Sequence, residues 1–171
     1  MTMSAIENAL TIDVEDYFQV AALAEAVRRE DWHSMEYRVE ANTQRILSLL
    51  DRHKARATFF TLGWVAEKSP ELVREIQKAG HEVASHGYSH QLIYNQTPEV
   101  FREETRRSKQ ILEDIIGEPV TGYRAASYSI TNQSRRGRIY LGLLHFPGAP
   151  RPLRHAGCAA LAPPPENRQR P

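Results

Sequence analysis

Four short apolar runs, each followed by a helix-starting signal or a cluster of polar residues, constrain this chain more than any other feature. Ala9 to Val14 (ALTIDV) is apolar and ends in the acids Asp13, Glu15 and Asp16. Ala57 to Leu62 (ATFFTL) is rich in β-branched and aromatic residues, the composition of a strand. His81 to Ser85 and Val120 to Arg124 supply two more strands. Between them lie helical patterns. Glu40 to His53 places Ile46, Leu47, Leu49 and Leu50 on one amphipathic helix. Ser69-Pro70-Glu71 and Thr97-Pro98-Glu99 each offer a hydroxyl N-cap and a proline at the first helical position. Gly80 and Gly117 end those two helices. The order strand, helix, strand, helix, strand, helix, strand predicts an α/β fold on a parallel sheet, open or closed into a barrel.

In such folds the functional groups gather where the strands end. The chemically loaded residues fall there: Asp13 to Asp16, then His86 and His90 in HEVASHGYSH, then Arg124. Two imidazoles and a carboxylate suit zinc or a similar divalent ion and leave a position for water. A bound ion brings that water's pKa to about 7. A further carboxylate can then act as general base, held by Arg124 through a bidentate pair. A backbone N–H just beyond Arg124 can serve an oxyanion. Together these parts describe a hydrolase acting on an acyl or amide carbon. A histidine pair four residues apart means little alone; joint placement at several strand ends gives it weight. His81, His33 and His53 are read as a strand start and two surface residues.

The 171 residues suffice for one domain with a sizeable core. A net charge of +1 gives no reason to expect a nucleic-acid partner. The single cysteine, Cys158, excludes an internal disulfide and an all-thiolate metal site. No signal peptide or membrane-spanning run is seen, so a cytoplasmic location is expected.

TIDVED, SHGYSH and GYRAASYSI, in that order, resemble the NodB-type polysaccharide deacetylases, carbohydrate esterase family four. The start LTIDVEDYFQV is similar to the exosortase-associated exopolysaccharide deacetylase branch. The resemblance covers residues 8 to about 134. It implies the first half of a distorted (β/α) barrel, zinc or a similar divalent ion, and an N-acetylated polysaccharide or oligosaccharide substrate that loses acetate. It implies Asp13 as base, His86 and His90 as metal ligands, Arg124 as the residue orienting the base, and the Ser127 N–H as oxyanion donor. The metal-binding acid is left between Glu15, which shares a strand face with Asp13, and Asp16, which has the family's usual residue type. The chain has Ala126 where the family has proline.

The resemblance stops after residues 131 to 134. From about Arg135 the chain is rich in arginine, alanine, glycine and proline, with Glu166 its one acid. Residues 1–134 are therefore read as a partial deacetylase domain. Residues 135–171 are read as an atypical tail, frameshifted or disordered. Back-translated and read one nucleotide on, residues 142 to 152 permit Asp-Ser-Ser-Ile-Phe-Pro, similar to what the family carries after its third motif. A barrel cut at this point exposes a sheet edge, with marginal stability expected. A non-catalytic remnant that binds only metal or carbohydrate is the alternative reading.

Overall fold

The computed structural model describes residues 9–130; the tail from 135 onward lies outside the described residues. Three strands form a parallel sheet in the order β1 (Thr11–Val14), β2 (Thr58–Thr61), β3 (Glu82–Ser85). The helices are α1 (Val39–Arg52), α2 (Gly63–Lys68), α3 (Pro70–Lys78) and α4 (Pro98–Ile116). The α/β alternation expected from the sequence is present, as a partial barrel. Central β2 is covered on both faces, so Phe59, Phe60 and Thr61 are all buried.

Register sets the site. Val14, Thr61 and Ser85 are level across the sheet. Glu15 and His86 follow immediately, so they emerge at the same end. The expected fourth strand, Val120 to Arg124, is reduced to a single parallel bridge between Ser85 and Tyr123. Its two hydrogen bonds run from Ser85 N to the Gly122 carbonyl and from Arg124 N to the Ser85 carbonyl, both at 2.9 Å. A glycine inside a strand weakens it and permits a close approach. A Cβ at Gly122 would lie 2.8 Å from that of Ala84.

The helix signals hold with one amendment. Thr97 caps α4, its hydroxyl accepting from Val100 N, and Gly117 ends that helix at φ 70°. Ser69 precedes Pro70 of α3 but makes no capping bond. Its hydroxyl instead pairs with the Tyr37 hydroxyl at 2.9 Å. Short α2, unforeseen from the sequence, starts directly after β2. Its first N–H groups, of Gly63 and Trp64, donate to the Gly87 and Tyr88 carbonyls of the histidine loop. Residues 17 to 34 form three 3-10 turns. Phe18 and Trp32 fasten this segment to Trp64, with ring centroids 5.5 to 6.0 Å apart.

His81 is buried just ahead of β3, where its Nδ1 accepts from Ala57 N at 3.3 Å. His33 and His53 are exposed, as expected. No helix among the described residues is long and apolar enough to cross a membrane.

Candidate metal centre and its base

Alternation along β1 places Thr11, Asp13 and then Glu15 on one side of the extended chain. Arg124 reaches across to the first two. Its Nη1 donates to Asp13 Oδ1 at 2.6 Å and its Nη2 to Thr11 Oγ1 at 2.8 Å. The expected bidentate grip on the carboxylate is therefore not formed, because Thr11 takes the second nitrogen. Asp13 keeps Oδ2 outside this pair. The guanidinium carbon also lies 4.0 Å from the Phe60 ring centre, an added restraint on its position.

His86 is almost fully buried at the end of β3. Its Nδ1 lies 2.9 Å from the Arg124 carbonyl oxygen. A carbonyl only accepts, so the hydrogen is assigned to Nδ1 and the lone pair to Nε2. Burial holds the His86 pKa below its ordinary value, against the opposing pull of Asp13, the Arg124 carbonyl and Glu15. The ring is thus neutral, the form that ligates a cation.

Non-glycine His90 has φ 53°, in the left-handed region. This turn brings its ring to 5.3 Å from that of His86, centre to centre. His90 Nε2 lies 2.9 Å and His86 Nε2 3.9 Å from the same oxygen, Glu15 Oε2. Ligand atoms of Glu15, His86 and His90 all lie within 4.8 Å of one another. Glu15 Oε2 is buried and makes no hydrogen bond among the described residues. A desolvated carboxylate oxygen facing two imidazole nitrogens is a donor set that fits zinc or a comparable divalent ion.

The two acids that the sequence left open part company here. Asp16 is buried, and its carboxylate is committed to the backbone. Oδ1 accepts from Tyr17 N at 2.9 Å; Oδ2 accepts from Arg38 N at 2.6 Å and Val39 N at 2.8 Å. Gln19 Oε1 accepts from Asp16 N in return. Asp16 therefore ties the first 3-10 turn to the start of α1, and Glu15 joins the histidines. Sequence reasoning missed Thr11 and Gln19. The signal for Thr11 was present, since it lies two residues before Asp13 on the same strand face.

Ser127 has φ 47° and sits in the short turn after Arg124. It borders a cleft of about 300 Å³ with Asp13, Glu15, His86, His90 and Arg124. All the expected site residues except Asp16 face this one space.

The polysaccharide deacetylase family model matches residues 31–144. It takes in His86, His90, Arg124 and Ser127, while β1 with Asp13 and Glu15 precedes it. A peptidoglycan-N-acetylglucosamine deacetylase of Bacillus cereus is 33% identical over 78 residues, 46% of this chain and 37% of that protein. A peptidoglycan deacetylase of Helicobacter pylori is 32% identical over 93 residues, 54% of this chain and 32% of that protein. The matched segment thus spans about a third of the length of these relatives. Among solved structures, peptidoglycan deacetylase PdaC from Bacillus subtilis superposes with a TM-score of 0.57 at 26% identity, covering 75% of this chain and 52% of that one. A family-four pseudoenzyme from Bacillus anthracis shares the fold, with a TM-score of 0.61 at 20% identity over 80% of this chain and 40% of that one. With two thirds of its residues under the family model, this chain belongs to the polysaccharide deacetylase family.

Proposed function

We propose that this chain is the catalytic half-site of a metal-dependent polysaccharide N-deacetylase, which hydrolyses N-acetyl groups on sugar units. One observation carries the reading: Asp13, held by Arg124, faces the same cleft as the Glu15, His86 and His90 grouping. Those three residues would hold a divalent ion, zinc being the best match to two imidazoles and a carboxylate. When bound, such an ion polarises the acetyl carbonyl and acidifies a water.

The chain's own groups do the rest. Asp13 Oδ2 accepts the proton as the water oxygen bonds to the carbonyl carbon. Arg124 keeps Asp13 aimed, with Thr11 fixing the guanidinium. The Ser127 N–H donates to the oxyanion as it forms. The carbon–nitrogen bond then breaks as the nitrogen takes up the proton held by Asp13, releasing acetic acid, which ionises to acetate, and leaving the sugar amine. His145 and His155, which have no motif around them, lie outside the described residues and are given no part.

An exopolysaccharide substrate follows from the LTIDVEDYFQV start, and the tail from about residue 135 is read as out of frame. Sequencing the coding DNA past codon 120 tests the second point: the +1 frame should continue with the family's remaining motifs. Acetate release from chitotetraose tests the function itself. Zinc-loaded protein should release acetate, and a chelator should stop it. Zinc-loaded, folded protein that releases none would leave only the reading of a non-catalytic metal or carbohydrate binder.

A further inference from the structure

The two histidines of the proposed metal centre are held in different ways. His86 has its Nδ1 on the Arg124 carbonyl at 2.9 Å. His90 Nδ1 is buried and makes no hydrogen bond among the described residues. With no bond on that side of the ring, its aim depends on the main chain that carries it. That main chain sits at φ 53°. A residue with a Cβ disfavours this region, and keeps it where its neighbours hold it there.

The hold comes from α4. Glu104, Arg107 and Ser108 stand three and four positions apart on one face of that helix, and each meets the histidine loop. The Ser108 hydroxyl pairs with that of Ser85 at 3.0 Å, and the Ser85 hydroxyl accepts from Gly87 N at 3.2 Å. The Arg107 guanidinium carbon lies 3.8 Å from the Tyr88 ring centre. Glu104 Oε2 accepts twice from Ser89, from its N–H at 3.0 Å and from its hydroxyl at 2.7 Å. Ser89 is buried and directly precedes His90. Two bonds to one carboxylate oxygen fix the main chain and the side chain of that residue together, and bonds to an ionised acceptor are the strong ones. Glu104 itself does not border the cleft. Any effect it has on the centre passes through Ser89 to His90.

We propose that Glu104 is a positioning residue: through Ser89 it holds the His90 turn, so that His90 Nε2 stays grouped with His86 Nε2 and Glu15 Oε2. The proposal rests on the metal-centre reading and deepens it. His90 receives from α4, by way of its backbone, the orientation that His86 receives directly from Arg124. Partners that orient a metal ligand from outside act on metal affinity.

The test is the zinc affinity of the full chain, measured by competition with a chromophoric chelator. Beside it stands the visible spectrum of the cobalt(II) form, whose band intensity depends on coordination geometry. Glu104→Ala should bind zinc about 10- to 100-fold more weakly. Saturated with cobalt, it should show altered bands. Glu104→Gln should recover most of the loss, because its amide oxygen can accept both Ser89 bonds. In a His90→Ala background, Glu104→Ala should cost no further affinity, since the ligand it aims is gone. Glu67→Gln, which loosens only the Tyr88 hydroxyl, should bind zinc as the parent does. A purely structural role would shift the melting curve and leave the cobalt spectrum of saturated, folded protein unchanged. Parent affinity in folded Glu104→Ala, an unchanged cobalt spectrum, an equal loss in Glu67→Gln, or the full loss again in the His90→Ala background would overturn the proposal. Should Glu104→Ala not fold, the decision passes to Ser89→Ala, which removes the hydroxyl bond alone. A loss of about three- to tenfold there supports the role, and parent affinity overturns it. Failure of the wider readings shows separately. Parent protein that takes up no zinc sinks the metal centre and this role with it. Parent protein that binds zinc and releases no acetate sinks the hydrolase and leaves the positioning role standing.

Discussion

His86 Nδ1 meets the backbone carbonyl oxygen of Arg124 at 2.9 Å, so the residue that grips Asp13 also orients the His86 ring. The side chain of Arg124 fixes Asp13 while its main chain fixes the His86 tautomer. Substituting Arg124 leaves the carbonyl in place. Arg124→Lys should therefore keep zinc content near that of the parent while acetate release falls about 10- to 100-fold, because a lysine cannot span Asp13 and Thr11 together. Zinc analysis beside acetate assays on one preparation checks this.

Glu15 and Asp16 are neighbours with different work, and their alanine variants should fail differently. Glu15→Ala should fold and lose stoichiometric zinc. Asp16→Ala strands three backbone donors, of Tyr17, Arg38 and Val39. It should lose about 3 kcal/mol of stability, while its folded fraction still takes up zinc. Urea unfolding with metal analysis separates the two. Loss of zinc only in folded Asp16→Ala would reverse the assignment.

Ser127 is expected to act through its main chain. Ser127→Gly suits φ 47° and should leave acetate release within about tenfold of the parent. Ser127→Pro removes the N–H and cannot adopt that φ, so turnover should drop about 100- to 1000-fold. Rates for the pair distinguish a backbone donor from a hydroxyl function.

His81 predicts a pH dependence of stability. Burial lowers its pKa from 6.5, and the charge of Arg56 adds to the effect. Below 6.5 the unfolded chain takes up a proton that the folded chain resists. The contribution is complete above that pH and is lost as pH falls toward the lowered folded value. Urea midpoints at pH 8 and pH 5 should differ more in the parent than in His81→Asn, whose amide oxygen can still accept from Ala57 N.

Gly63 opens α2 against α4. A Cβ there would lie 2.7 Å from Tyr88 Cδ2 and 3.1 Å from Ser108 Cα. Gly63→Ala should cost about 1–3 kcal/mol by overpacking, read as a lower urea midpoint with an unchanged slope.

Much of this site could be read from the chain because its residues sit at strand ends, where strand periodicity and topology fix position together. Asp13, His86 and Arg124 are such residues. Glu15 and Asp16 could not be separated that way. Both are acids one step apart, and the choice is made by the N–H groups of Arg38 and Val39, which a sequence does not bring near. Short α2 was hidden because Gly63 and Trp64 find their partners in the histidine loop, not in a local cap. The fourth strand was overcalled because Val120 and Tyr123 look like strand residues, while Gly122 lets the segment engage at one point only.

The Asp13–Arg124 pair closes a loop of 111 residues. Contacts of such separation are paid for in chain entropy before they return anything. Asp13 and Arg124 therefore come together only after the chain between them has ordered. Assembly of the proposed site is in this sense a late event, and recovery of zinc binding on refolding should trail the burial of Trp32 and Trp64, whose fluorescence reports a contact of far shorter reach.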